Sequence, residues 1–339
     1  MPSKRLLFLL NFFFVTNVHA QIKNLVFEGA GIRGIAYCGA IKILEEKELL
    51  QDVQRVGGTS AGAVTALALS LGYTANEIEG MINSTSFQKF NDGRFIFVGG
   101  MHRLYKYYGW YRGKRFENWL AKIIEEKTGN ADISFIELRE KGLKELFITG
   151  TSLNKQCSVV FSYETFPHMR VKDAVRISLS IPLYFEAVFM DEKGNIFSRP
   201  KNKKGLDVMA DGGFTTNFPI RLFDSTKYID PSKQNQFFYN QETLGIRIDS
   251  EDQIKNDSTG KGLAPLPVED FKQYLTAFYT IILENLNRQT LTKEDWARTV
   301  SIGDGNIGPR IKKLSVNEKG KLINNGRQSM TDHLVKRKK

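Results

Sequence analysis

The chain has 339 residues, 41% of them apolar and 25% charged, with a formal charge of +11 at neutral pH. That length and balance exclude a chain disordered in bulk and accommodate one large core or two smaller ones. Two cysteines, Cys38 and Cys157, exclude a disulfide framework, and no Cys or His pair has zinc-ligand spacing.

Residues 1–20 read as a secretory signal. Lys4 and Arg5 supply the positive start, Leu6 to Val15 form an apolar run broken by Asn11, and Val18-His19-Ala20 offers a small-residue cleavage site before Gln21. The run is shorter than the ~20 apolar residues a spanning helix needs. Export, to a periplasm or beyond, is the expectation. Loss of Lys4 and Arg5 would take the charge from +11 to +9, leaving a basic protein suited to anionic surfaces. Positive charge also gathers at Lys201, Lys203 and Lys204 and in the tail 334–339; each group alone reads as a solvated loop or a frayed end.

Asn24 to Phe27 has strand character and runs into the glycine-rich turn Gly29 to Gly34, after which Ile35 to Glu48 reads as a helix. Val53 to Val56 resembles a second strand; it ends in Gly57-Gly58-Thr59-Ser60 and is followed by the Ala- and Leu-rich helix Ala61 to Leu71. Strand–turn–helix twice over predicts α/β architecture. Leu146 to Thr149 and Ser158 to Ser162 are expected as buried strands, and Lys172 to Ser180 as a short helix stopped at Ile181-Pro182. Val208 to Ala210 leads, as another strand, into Asp211-Gly212-Gly213.

Three stretches read less simply. Phe87 to Trp119 is crowded with aromatics and bases; it is a half-buried connection, or a lid or interfacial surface presenting Arg103, Lys106 and Arg112. Asp249 to Gly262 reads as a polar loop whose Asp249, Glu251 and Asp252 lack calcium-hand spacing and count as solvated charge. Val268 to Arg288 has helical periodicity with Phe271, Tyr274, Leu275, Phe278 and Ile282 on one face, and the remainder, with Ile311 and Leu314, closes the same domain. The division expected is a signal at 1–20, a catalytic core at 21–225 and a largely helical C-terminal segment at 226–339.

The chemistry rests on glycines. Gly58-Thr59-Ser60-Ala61-Gly62 is a G-x-S-x-G turn, which lifts a serine hydroxyl out between strand and helix where it can attack. The carbonyl it attacks becomes an oxyanion and needs preorganised N–H donors. Gly29-Ala30-Gly31-Ile32-Arg33-Gly34 supplies a run of approachable amides at the start of a helix. The same hexapeptide matches the dinucleotide fingerprint G-x-G-x-x-G, a rival reading opposed by an ambiguous ribose acid near Asp52 and by the serine turn that follows at once. Of the histidines after Ser60, namely His102, His168 and His333, none sits at a recognisable strand-end turn. Asp211, at a strand end before Gly212 and Gly213, does. With an unperturbed pKa near ~3.9 it would need a shielded site to act as a base.

In this order, Gly29 to Gly34, Gly58 to Gly62 and Asp211 to Gly213 resemble the motifs of the patatin-like phospholipase family. Tyr111-Arg112-Gly113, Thr149 to Leu153, Ser178 to Pro182 and Asp295 to Thr299 are family-like as well, so the resemblance covers about Ile22 to Thr299. It implies a three-layer α/β/α sandwich and a Ser–Asp dyad, Ser60 with Asp211, that uses no histidine. It further implies oxyanion-hole amides from Gly29 to Gly34, a fatty-acyl ester substrate at a phospholipid surface, and neither metal nor organic cofactor. No nucleic-acid partner is expected. Ala30 departs from the family pattern, in which many members carry a third glycine. Arg33 is a candidate either for orienting a phosphate headgroup or for stabilising the loop. A lipid acyl hydrolase of phospholipase A type is the expectation. The alternatives are an acyltransferase or lysophospholipase using the same dyad, and a catalytically silent lipid-binding protein.

Overall fold

Asn24–Phe27 is buried at every position, as a strand covered on both faces must be. It opens a computed structural model that describes residues 21–93, 98–230, 232–233, 235–285, 288–308 and 313–337. The expected signal at 1–20, Ile311 and the last two residues of the basic tail lie outside the described residues.

The chain runs through β1 (Asn24–Phe27), a 3₁₀ turn at Gly31–Ile35, α1 (Ala36–Glu46), β2 (Arg55–Gly58), α2 (Ala61–Ser70) and α3 (Ala75–Ser84). Next come α4 (Val98–Tyr107), β3 (Gly109–Tyr111), α5 (Lys114–Thr128) and α6 (Phe135–Glu140). The middle of the chain adds β4 (Glu145–Ser152), β5 (Cys157–Phe161), α7 (Val171–Ser178), β6 (Leu183–Phe185), β7 (Val188–Met190), β8 (Ile196–Phe197) and β9 (Asp207–Asp211). It continues into α8 (Gly213–Thr216), β10 (Thr243–Asp249), α9 (Glu251–Thr259), α10 (Phe271–Tyr279), α11 (Lys293–Ala297), β11 (Thr299–Gly303) and α12 (Val316–Arg337).

Among the described residues nine strands form one sheet, with β11, β10, β1, β2 and β4 side by side and parallel. β5 and β9 pair antiparallel with β4, β7 and β8 extend the sheet beyond β9, and β3 with β6 makes a separate ribbon. Side chains alternate across the sheet. Leu25, Phe27, Val56, Leu146 and Ile148 join the main core with the helices, while Val26 and Phe147 meet Phe223 on the other face. α1 and α12 pack on each other, and α2 lies on β1, β2 and β4. This is the mixed α/β architecture expected from the sequence.

The register around β4 positions the site. β5 occupies one side of β4 from Ile148 to Ser152. On the other side β2 pairs in parallel with Glu145 to Ile148, and β9 pairs antiparallel with Gly150 to Ser152. Two strands therefore share one edge of β4 and run toward each other, their C-terminal ends facing across Thr149.

The C-terminal segment is largely helical, as expected, and ends in the long α12, but it also supplies β10 and β11 to the sheet. β10 hides in the sequence because it carries Arg247 and Asp249. Both are buried, with Arg247 bound to Glu28 at 3.0 Å and to Asp249 at 2.7 Å. Asp249 is thus a strand end also held by Arg288, not solvated charge, and Glu251–Thr259 is a helix where a loop was expected.

Candidate active site

The serine turn begins where β2 runs out. A Cβ on Gly58 would lie 2.4 Å from the carbonyl oxygen of Gly62, and one on Gly62 would lie 2.4 Å from that of Phe27. Only glycine allows strand and helix to approach so closely. Ser60, at the bend, has φ 51° and ψ −120°, a conformation that costs a residue with a side chain about 1–3 kcal/mol. Its amide donates to Ser178 Oγ at 2.8 Å, a bond that holds the strained turn.

Asp211 ends β9 on the facing side. Its carboxylate is buried, accepts the Gly213 N–H at 2.8 Å and shares the cavity lining with Ser60. Burial pushes its pKa up to about 7, against the opposing effects of the Gly213 amide and the nearby Ser60 hydroxyl. A carboxylate that titrates there is a much better proton acceptor at neutral pH than one in the ordinary range. Its own carbonyl accepts the Thr151 hydroxyl at 2.8 Å, and its amide donates to Ser180 at 3.0 Å.

The seam between the two strand ends is closed by hydroxyls. Thr59 Oγ1 lies 2.6 Å from Thr149 Oγ1 and donates to the Thr216 carbonyl at 2.9 Å. Asn217 then clamps the glycine-rich loop: its Nδ2 donates to the Gly29 carbonyl at 3.0 Å, and the Gly29 amide donates to the Asn217 carbonyl at 3.1 Å.

Beyond Gly29 the chain enters the 3₁₀ turn, with Gly31 at φ 56°. The bond from the Arg33 amide to the Ala30 carbonyl, 3.2 Å, opens that turn, so the amides of Ala30, Gly31 and Ile32 precede it. Gly29, Ala30, Gly31, Ile32 and Gly34 line the same cavity as Ser60 and Asp211. Arg33 does not. Its side chain is buried, donates from Nε to the Ala30 carbonyl at 3.2 Å and faces Asp304 at 3.7 Å. It braces the loop, which corrects its candidacy as a headgroup ligand and leaves its amide engaged within the turn.

The cavity, about 490 Å³, follows α2 from Ser60 past Ala61, Val64 and Thr65 to Ala68. Eight residues at ~1.5 Å each make that path roughly 12 Å long. Met81 of α3, Phe87, Phe90, and Phe116 and Trp119 of α5 wall it. The described residues lining it include no histidine; His102 and His168 are exposed and His333 lies on α12.

A family model described as Patatin-like phospholipase matches residues 25–224, more than half of the chain. The chain belongs to the patatin-like phospholipase family. The Bacillus subtilis (strain 168) protein printed as "Uncharacterized protein YqhO" is 32% identical over 212 residues, 60% of this chain and 67% of that one. "Probable lipid hydrolase 463L" of Invertebrate iridescent virus 6 is 26% identical over 205 residues, 59% of this chain and 62% of that one. VipD from Legionella pneumophila shares the fold with a TM-score of 0.59 at 17% identity, covering 93% of this chain and 67% of that chain.

Seen as a patatin-like protein, the chain has its three motifs gathered at one seam. Gly58 and Gly62 shape the serine turn, and Gly212 and Gly213 carry the chain from β9 into α8. The methyl of Ala30 is buried without displacing the loop from the cavity. Thr59, Asn217 and the Ser178 hydroxyl were not singled out by sequence reasoning. Ser178 and Thr149 carried a signal, since both fall in family-like stretches; Asn217 carried none.

The aromatic stretch divides between cavity wall and the exposed face of α4, and one reading of it is corrected. Phe87, Phe90, Phe116 and Trp119 are cavity wall. Arg103 is buried and donates from Nε to the Trp110 carbonyl at 2.8 Å, so it is no surface cation.

Proposed function

We propose that the protein is a phospholipase A-type lipid acyl hydrolase that cleaves fatty-acyl esters of membrane phospholipids through a Ser60 acyl-enzyme, with Asp211 as general base. The observation that carries this reading is the convergence of Ser60 and Asp211 on the lining of one predominantly apolar cavity. Asp211 takes the proton as Ser60 Oγ attacks the ester carbonyl. The tetrahedral oxyanion that forms is met by the amides of Ala30, Gly31 and Ile32. Collapse breaks the bond to the leaving alkoxide, which takes the proton back from Asp211 and departs as an alcohol or lysolipid. Water then attacks the acyl-serine, again losing its proton to Asp211; the serine oxygen recovers that proton and the fatty acid leaves.

The cavity supports an acyl substrate in particular. Each methylene buried in an apolar site contributes about 0.8 kcal/mol, so a long chain lying along α2 would supply most of the binding. The test is fatty-acid release from mixed phospholipid vesicles by the wild type and by Ser60→Ala. Release that Ser60→Ala abolishes supports the reading. Wild-type protein that binds vesicles yet releases nothing contradicts it, and leaves the lipid-binding alternative.

A further inference from the structure

α4 exposes an apolar stripe. Val98, Met101 and Tyr105 recur at helical spacing and are 83%, 59% and 91% exposed, while Gly100 and Arg103 turn inward. A helix that presents large side chains to water on one face is built to be covered.

A second segment, remote in sequence, brings charge to it. Lys203 donates from Nζ to the Lys106 carbonyl at 2.7 Å and sits 4.1 Å from the centre of the Tyr108 ring. That contact sets the lysine loop 201–204 against the C-terminal end of α4, with Lys106, Lys201 and Lys204 exposed. Glu186 does not offset this charge, since it is buried and bound by Arg199. The patch is also joined to the cavity wall. α4 runs straight into β3, which pairs with β6, and Tyr184 and Phe185 of β6 line the cavity beside Ser60.

We infer that α4 and the 201–204 loop form the surface by which the protein docks on anionic phospholipid bilayers, the aromatic and aliphatic stripe inserting while the lysines meet headgroups. The inference rests on the lipid-hydrolase reading for its purpose, but its geometry stands apart from the dyad. Lysines near an anionic bilayer contribute about 1 kcal/mol each. Replacing three of them with glutamine should therefore weaken binding about 100-fold.

The experiment is sedimentation with vesicles of phosphatidylcholine containing phosphatidylglycerol, run at two salt concentrations alongside hydrolysis of a soluble short-chain ester. The triple variant Lys106→Gln, Lys201→Gln, Lys204→Gln should lose binding about 100-fold and lose most of its salt dependence. Met101→Asp with Tyr105→Asp should lose it too, and all of these variants should keep wild-type turnover of the soluble ester. Unchanged vesicle binding in both variants would overturn the inference. So would binding lost only in Phe271→Asp with Phe278→Asp, two exposed residues of α10. A wild type that docks as described but leaves the soluble ester intact would sink the hydrolase reading and leave the docking surface standing.

Discussion

Ser60 and Asp211 meet because β2 and β9 run toward each other along one edge of β4, pairing up to Ile148 and from Gly150. Neither residue could reach the other from a continuous sheet. Two separate strands share that edge and deliver Ser60 and Asp211 from opposite directions. Thr149, between the two pairing sites, binds Thr59 and closes the seam.

With Asp211 as the proposed base, the pH dependence of catalysis follows from its ionisation. The base must be ionised, and burial sets its pKa at about 7. On a soluble ester, kcat/KM should rise about tenfold per pH unit below that value and level off above it. Asp211→Asn should lower kcat by about 10²–10⁴-fold. A profile that is flat down to pH 5 would mean that another group accepts the proton.

Stability should show the same group with the opposite preference. The folded pKa is raised above that of the unfolded chain, so between about 4 and 7 the native state holds a proton that the unfolded state has lost. Ionising Asp211 therefore costs stability, and the cost is complete above about 7. At pH 8 Asp211→Asn should be more stable than wild type, by an order of a few kcal/mol at ~1.4 per unit. The gap should close toward pH 4. Urea denaturation of both proteins at the two pH values measures it.

Strain at Ser60 gives a separate test. Ser60→Ala and Ser60→Gly both remove the hydroxyl, but only glycine relaxes φ 51°. After subtracting the extra entropy of an unfolded glycine, Ser60→Gly should be about 1 kcal/mol more stable than Ser60→Ala. Ser60→Gly melting below Ser60→Ala, by the entropy of the unfolded glycine alone, would show that the bend stores no strain.

Chain-length preference should be set along α2. Ala68 lies on the cavity wall roughly 12 Å beyond Ser60 at ~1.5 Å per residue. Ala68→Phe should therefore cut kcat/KM on long-chain nitrophenyl esters about tenfold, equivalent to about two methylenes of lost burial, and leave butyrate turnover unchanged. A uniform loss across all lengths would place the acyl chain elsewhere.

The motifs were legible in the sequence because their demands are local. Gly58 and Gly62 are required by backbone contacts within one turn, and Asp211 by the strand end it terminates. What brings them together was not legible, since the shared edge of β4 depends on pairings 57 (Ser152 with Met209) to 90 (Arg55 with Glu145) residues apart in the chain. Periodicity also failed at α10. Phe271, Tyr274 and Phe278 were placed with Leu275 on one face, yet the first three are exposed and Leu275 lines the cavity. Spacing reports that a helix has an apolar face, but not whether that face is covered. β10 was missed for the converse reason: Arg247 and Asp249 look like surface residues until Glu28 and Arg288 are seen to neutralise them.

The most direct test of the account is a covalent one. The protein is treated with a long-chain alkyl fluorophosphonate, digested, and its peptides weighed, in parallel with Asp211→Asn. The account predicts one adduct per chain, on the Ser60 peptide, formed rapidly in the wild type and far more slowly in the variant. Labelling at another serine, or labelling of Ser60 at the same rate without the Asp211 carboxylate, would contradict it.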